Sequence, residues 1–442
     1  MQVTLDNPMF EGSAYILNIF GNFLPGEYTG PRDEYLPCRE SAWLGVCLNT
    51  TPVLRVSGPD AAKFFEQTCV NHGFATMKVG SSKHALVCNT KGHMIADGVV
   101  MRLDEESYTT YWLAPVLQYF AQASGLDLNC EYITDEYFFQ IDGPKSLQIM
   151  EEACECDLHD IKFAHNKKVK CCGTDMTIHR LGMSGALAYE VHGKAEDAPV
   201  VYKHIREIVE KYGGKPQGAS NYGIINHTPA GYPNQLQHFN YPLLEDDPGL
   251  AEFAKQYCAV PPLVGSASDD PDMFSVTPYE IGWGYLINFD HEFMGKDALL
   301  KAKDEPHRQV VTLEWNAEDV GDVFMSMLRG RGEEPYDQIE YADALLDNRF
   351  GPMVIRGDKV LAGDETIGIA TGRTIAYYEQ RMISLAFIDP KYAEEGTELE
   401  VLWGAEGYRK KRIRATVAQF PYYQGEYRNE TFDTSKIPPY KG

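Results

Sequence analysis

The chain has 442 residues, too many for one hydrophobic core and suited to two or three domains. With 44% hydrophobic and 24% charged residues it is composed like an ordinary soluble globular protein, and no apolar run approaches the roughly 18–20 residues that span a bilayer. A net charge of −24 argues against broad contact with nucleic acid or anionic lipid, while leaving room for a small anionic ligand in a locally basic pocket.

The first residues, MQVTLDNPMFEGSAYILNIFGNF, lack a basic n-region, and Asn and Gly interrupt their apolar positions. They do not read as a signal peptide, and the cytoplasm is the expected location. Two segments further on nearly match: TPVLRVSGPDAAKFFEQTC at 51–69 and EYFFQIDGPKSLQIMEEAC at 136–154, their Gly-Pro pairs 85 residues apart. Each predicts a strand, a sharp exit at Gly58 or Gly143, and a helix with Pro59 or Pro144 at its first position. Between the copies, turn-rich NTKG and DEES divide three strands at 83–88, 93–102 and 108–113, an antiparallel meander backed by the first helix. After the second copy come a strand pair, MTIHRLGMSG and AYEVHG, and a helix at 198–212 stopped by Gly213-Gly214.

Residues 215–278 are dense in Gly, Pro, Asn, Tyr and His with little periodicity, the mark of a long functional loop. From 308 onward strands and turns dominate, which predicts a separate, mostly β module. The ten cysteines include no Cys-x-x-Cys pair. Cys154-x-Cys156 and adjacent Cys171-Cys172 do not have the spacing of metal knuckles, and no His cluster completes a set in sequence. They read as reduced core thiols, with no metal expected.

The segment VTPYEIGWGYLINFDHEFMGKDALLKAK at 276–303 resembles the signature region of the aminomethyltransferase superfamily, the glycine-cleavage T-protein and its relatives. VSGPDA, NTKGHMIADGVV, RLGMSGALAYEV and ATVAQFPYY resemble further family segments in the same order. Within the superfamily the chain looks most like the tetrahydrofolate-dependent aromatic O-demethylases of the vanillate/3-O-methylgallate and syringate type, which share its Tyr/Pro-rich insert. The resemblance implies an α+β, three-domain T-protein-like fold: two similar α/β domains around a central folate channel and a C-terminal β-barrel or jelly-roll-like module. It places domain 1 at 1–51 and 136–235, domain 2 at 52–135 and 236–305, and the β module at 306–442.

The implied reaction moves a methyl group from a methoxylated aromatic compound to N5 of tetrahydrofolate. Such a displacement needs in-line positioning and a hydrogen bond or proton for the departing phenolate, and neither a metal nor a covalent intermediate. By the resemblance Glu190 pairs with the pterin edge, and the Gly182–Gly185 stretch (GMSG) admits close backbone approach, although Gly185-Ala186 stands where the family has Gly-Glu. Asp97 matches an acidic residue near the reacting end of folate, and an Asp before Gly98 also suits a turn or bulge. Tyr241 falls where demethylases carry a tyrosine beside the methoxy oxygen, with Tyr232 and Tyr222 as alternatives. Tyr279, Glu280 and Trp283 match signature positions that either line the channel or pack a domain junction. Arg180, Lys296 and Arg373 are candidates for the folate glutamate tail.

Vanillate-type pockets carry Gln, His and an Arg where this chain has Cys47, Thr50 and Leu113, so the expected donor lacks a carboxylate at that place. Rival readings are an aminomethyltransferase or an N- or S-demethylase on the same scaffold, and a non-enzymatic folate-binding protein. The last carries a Lys-Gly-Cys-x-x-Gly-Gln-Glu motif absent here. The expected partner is a small-molecule methyl donor, with no nucleic acid or membrane; a homo-oligomer is compatible with the residues.

Overall fold

The computed structural model describes residues 7–19, 22–46, 53–235, 237–240, 242, 247–257, 261–339 and 354–441. Cys47, Thr50 and Tyr241 therefore lie outside the described residues.

The two sequence repeats sit at equivalent places in two sheets. The first sheet runs Asn166–Cys171, Thr174–His179, Ala188–Lys194, Glu136–Asp142, Trp43–Val46 and Lys215–Gln217, antiparallel except for the last, parallel pair. The second runs Ser81–Cys88, Met94–Arg102, Ser107–Tyr111, Val53–Ser57 and Asn129–Ile133, antiparallel throughout. In each, the repeated strand has the last strand of a three-stranded meander on one side. On the other side lies a strand from the opposite end of the unit, 43–46 ahead of its repeat and 129–133 behind it.

The turn after each repeated strand is built in the same way. Gly58 has φ 115° and Gly143 φ 143°, and a Cβ at either would run into backbone: Asp127 O at 2.9 Å, or Ser41 O at 2.3 Å. The same two carbonyls accept hydrogen bonds from Asp60 N (3.1 Å) and Lys145 N (3.0 Å). The helices begin at Ala61 and Ser146, so the prolines stand two residues before the first helical position, not at it. Each occupies the second place of a tight turn closed by Ala61 N on Gly58 O (3.1 Å) or Ser146 N on Gly143 O (3.0 Å), which the fixed φ of proline suits.

Period-2 alternation divides each sheet into two faces. On the first, Phe139, Ile141, Ile178, Tyr189 and Val191 bury against the helices Ser146–Cys154 and Ala198–Lys211. On the second, Leu54, Val56, Ala85, Val87 and Val100 bury against Ala61–Thr68 and Val116–Ala123. The sheets meet at their meander ends, where Asn166 N donates to Gly80 O (2.8 Å) and Ser82 N to Ala164 O (2.9 Å).

The C-terminal strands close on themselves. Gln309–Trp315, Ile355–Ala362, Glu365–Ala376, Arg381–Ile388, Glu398–Trp403 and Lys411–Ala418 form a six-stranded barrel, sealed by the antiparallel pairing of Ile355–Ala362 with Glu398–Trp403. Its interior holds Leu313, Trp315, Val360, Ile388, Val401, Trp403 and Ile413. Closure removes the exposed sheet edge. Among the described residues no helix is long and apolar enough to cross a membrane.

Candidate functional site

The face of the first sheet opposite its helices carries an unusual row. Strand register sets His179 beside Glu190, Glu190 beside Gln140, Gln140 beside Gly45 and Gly45 beside Gln217. His179, Glu190, Gln140 and Gln217 are all buried. A buried polar row across a sheet is costly unless partnered.

Glu190 Oε2 lies 3.2 Å from His179 Nδ1 and 3.6 Å from His192 Nε2. Burial pushes its carboxyl up, but the hydrogen bond from His179 and the nearby His192 imidazole outweigh that and hold it below the usual range. Burial drives His179 the other way, toward the neutral ring, against the pull of Glu190. In the tautomer that fits, Nδ1–H donates to Glu190 and Nε2 accepts from Ser82 Oγ at 2.8 Å, so the network reaches the second sheet. His192 is fixed by Tyr111 Oη at 3.2 Å and by stacking on Phe138, centroids 4.5 Å apart.

Two residues along the strand from Gln140 stands Asp142, fully buried, with Ser184 N donating to Oδ2 at 3.2 Å. Burial first, and nearby Glu190 as well, push its carboxyl up to about 8, so at neutral pH it is a protonated acid beside an ionised one. Gln140 Nε2, Asp142 Oδ1, Gln217 Nε2 and Asn226 Oδ1 have no hydrogen-bond partner among the described residues. Gly182 passes directly over this spot, since a Cβ there would lie 2.8 Å from both Asp142 Oδ1 and Gln140 Nε2. Orphaned donors and acceptors beside an ionised carboxylate fit the polar edge of an amino-pyrimidine ring, as in tetrahydrofolate.

From the row the site continues through Tyr222, whose hydroxyl donates to Gln140 Oε1 and whose ring lies 6.0 Å from that of His227. His227, on the helix Gly223–Ala230, is pushed down to about 4 by burial, partly offset by the charge of Asp97 on the second sheet. Asp97 Oδ2 accepts from His84 Nε2 at 2.9 Å, and the His84 ring meets Trp283 edge-on at 4.5 Å. Glu190, Tyr222, Asp97 and Trp283 are thus linked by Gln140, His227 and His84. A carboxylate–imidazole pair at one end can hold or move a proton, and the polar row at the other can orient a heterocycle.

Other expected residues stand elsewhere. Leu113 is fully buried in the helix-side core with Leu54, Phe64 and Phe65, not in a pocket, because its side chain falls on the apolar face. Arg180 donates Nε to Asn429 Oδ1 (3.3 Å) and Nη2 to Asn429 O (2.9 Å) and Phe432 O (2.7 Å), which anchors the C-terminal segment. Tyr279 donates to Leu299 O (3.1 Å) on the helix Lys296–Ala302. Glu280 braces Arg308 (2.6 Å) and Thr277 N (2.7 Å) at the junction. Lys296 pairs with Glu292 on the surface, and Arg373 lies over the Trp403 ring of the barrel, 4.8 Å from its centroid. Tyr232 lies under the Arg428 guanidinium at 5.3 Å, and its carbonyl accepts from His227 Nδ1 at 3.0 Å.

Sequence reasoning missed Gln140, Asp142, His179, His192, His84 and His227. Gln140 and Asp142 left a trace as alternate polar positions in FFQID, and His192 follows Glu190 by two on the same strand face.

Comparison with known proteins agrees with this architecture. The family model for the GCVT N-terminal domain matches residues 13–225, and that for the glycine cleavage T-protein C-terminal barrel domain matches 345–424. A sesamin methylene transferase of Sinomonas sp. (strain No.22) is 42% identical over 99% of this chain and 98% of its own. A syringate O-demethylase of Sphingobium sp. is 28% identical over 90% of each chain, and an aminomethyltransferase of Thermotoga petrophila 23% identical over 96% of this chain and 99% of its own. The crystal structure of glycine cleavage system aminomethyltransferase T from Bartonella henselae superimposes with a TM-score of 0.68 at 16% identity, covering 94% of this chain and 96% of that one. The chain belongs to the glycine-cleavage T-protein family and is a tetrahydrofolate-dependent enzyme of the methyl-transfer type.

Proposed function

We propose that this enzyme cleaves an aryl ether carbon–oxygen bond and moves the released one-carbon unit to tetrahydrofolate. The observation that carries this reading is the full-length similarity, at 42% identity, to a protein named for transferring a methylene group, together with 28% identity to a syringate O-demethylase. The donor is a methoxylated arene, as the sequence resemblance implies, or an arene bridged by a methylenedioxy ring, which the 42% relative favours. Bound tetrahydrofolate supplies the nucleophilic nitrogen that accepts the carbon.

In this reading Glu190, Gln140 and Asp142 hold the pterin edge, and the neutral Asp142 donates where a second anion would repel Glu190. Asp97, hydrogen-bonded to His84, stands at the reacting end and can hold the proton that a departing phenolate takes up. Tyr241 is the proposed phenol beside the ether oxygen. Of its alternatives, Tyr222 already donates its hydroxyl to Gln140. A carboxylate on the donor ring is not required, a proposal that now rests on Cys47 and Thr50, since Leu113 belongs to the core.

The test is anaerobic incubation of the purified protein with tetrahydrofolate and a donor panel, followed by mass analysis of the folate. Methylenedioxybenzenes, guaiacol, vanillate, syringate and glycine betaine make up the panel. A methylenedioxy donor that yields 5,10-methylenetetrahydrofolate, or a methoxyarene that yields 5-methyltetrahydrofolate, supports aryl ether cleavage and decides between the two donors. Product from betaine alone would overturn it, and a clear preference for vanillate over guaiacol would sink the missing-carboxylate proposal.

A further inference from the structure

We propose that Cys171, Cys172 and His204 form a binding site for a thiophilic divalent cation of the zinc class. It lies on the helix-covered side of the first sheet, on the face opposite Glu190, and is independent of folate. Two separate elements bring the groups together: the hairpin between Asn166–Cys171 and Thr174–His179, and the helix Ala198–Lys211.

Ligand atoms of Cys171, Cys172 and His204 all lie within 4.8 Å of one another, and the two sulfurs are 3.9 Å apart. Zinc–sulfur bonds of about 2.3 Å make a tetrahedron with edges of about 3.8 Å, so the two sulfurs stand at the spacing of ligands around one cation. A disulfide would need the sulfurs at about 2.05 Å across adjacent residues. The Ala153 carbonyl accepts from both Cys171 Sγ (3.3 Å) and His204 Nε2 (3.2 Å), which draws the imidazole and the thiol to one point.

The backbone supplies a second, independent observation. Cys172 and Gly173 are the two central residues of the hairpin turn, at φ 53° and 79°, a turn that prefers Asn-Gly or Asp-Gly. A cysteine at that left-handed first position works against the turn, and it points a thiol at the Cys171 and His204 side chains. Cysteine binds a cation of this class as thiolate, so a bound divalent ion displaces the thiol protons. Sequence spacing hid this set because its ligands come from elements distant along the chain.

The test uses the full-length reduced protein, stripped by a chelator and then titrated with Zn(II) or Cd(II) alone. The expected result is one tightly held equivalent, a cadmium–thiolate charge-transfer band, and proton release on binding. Cys172→Ser, at an exposed turn, and His204→Gln should each abolish tight binding while tetrahydrofolate affinity stays unchanged; Cys130→Ser, on the other sheet, should leave metal binding intact. A wild-type protein that holds no cation would overturn the proposal. So would Cys172→Ser and His204→Gln proteins that bind as the wild type does.

Discussion

Glu190 and Asp142 are two buried carboxyls on neighbouring strands that answer burial in opposite ways. Glu190 has two imidazoles to stabilise its charge, whereas Asp142 has a single backbone N–H and a like-charged neighbour. Replacing Glu190 by Gln keeps the shape and removes the charge. Hydrogen bonds to a charged group contribute about 1.5–3 kcal/mol, so tetrahydrofolate affinity should fall about 10–100-fold in titration calorimetry. Unchanged affinity would remove Glu190 from the folate site. Asp142 makes a pH prediction. Its folded value, about 8, lies above the ordinary 3.8, so between these the unfolded chain ionises while the folded protein stays protonated. Stability present at low pH is therefore lost as pH rises through this window, by up to about 1.4 kcal/mol per pH unit. Asp142→Asn should gain stability relative to wild type steadily from pH 5 to pH 8 in denaturant unfolding. A difference that does not change with pH would mean that Asp142 is ionised in the folded state.

At the scale of elements, the repeated strand–turn–helix was legible because Gly-Pro and the apolar period constrain each unit locally, and the sheets place both copies equivalently. The prolines were placed two residues too late, since sequence does not show that a full turn precedes each helix. The polar row was not legible. It exists only through register among five strands, at residues 45, 140, 179, 190 and 217, and no local pattern encodes that alignment. The close approach at each turn gives a graded prediction. Gly143→Ala sets a Cβ 2.3 Å from Ser41 O and 2.6 Å from Ala42 Cα, whereas Gly58→Ala meets Asp127 O at 2.9 Å. Left-handed strain of about 1–2 kcal/mol applies to both, and the clash adds about 1–3 kcal/mol where backbone must move. Both variants should lower the urea midpoint, Gly143→Ala by more; equal midpoints would mean that the neighbouring strand yields freely.

At the scale of the whole molecule, the chain returns from the barrel to the first sheet. Arg428 donates to Ala230 O (3.0 Å) and Tyr423 O (3.2 Å), Asn429 N to Gly185 O (3.3 Å), and His159 Nε2 meets Ile437 O at 3.1 Å. Arg180 is the central clamp of this return, buried with three hydrogen bonds to the segment. The segment lies on the loop that carries Gly182, so it secures the lid of the polar row from outside. Burial pushes the Arg180 pKa down, as expected of a guanidinium paired only with neutral oxygens. Arg180→Met keeps the apolar stem and leaves two carbonyls and an amide without their donor. The expected loss is about 2–4 kcal/mol of stability, with earlier proteolysis of the C-terminal segment. Tetrahydrofolate affinity, measured well below the melting transition, should stay within about threefold, a shift under about 0.7 kcal/mol. The opposite pattern, weakened binding of polyglutamylated folate with stability intact, would return Arg180 to the folate tail and leave the C-terminal segment held by Arg428 and His159.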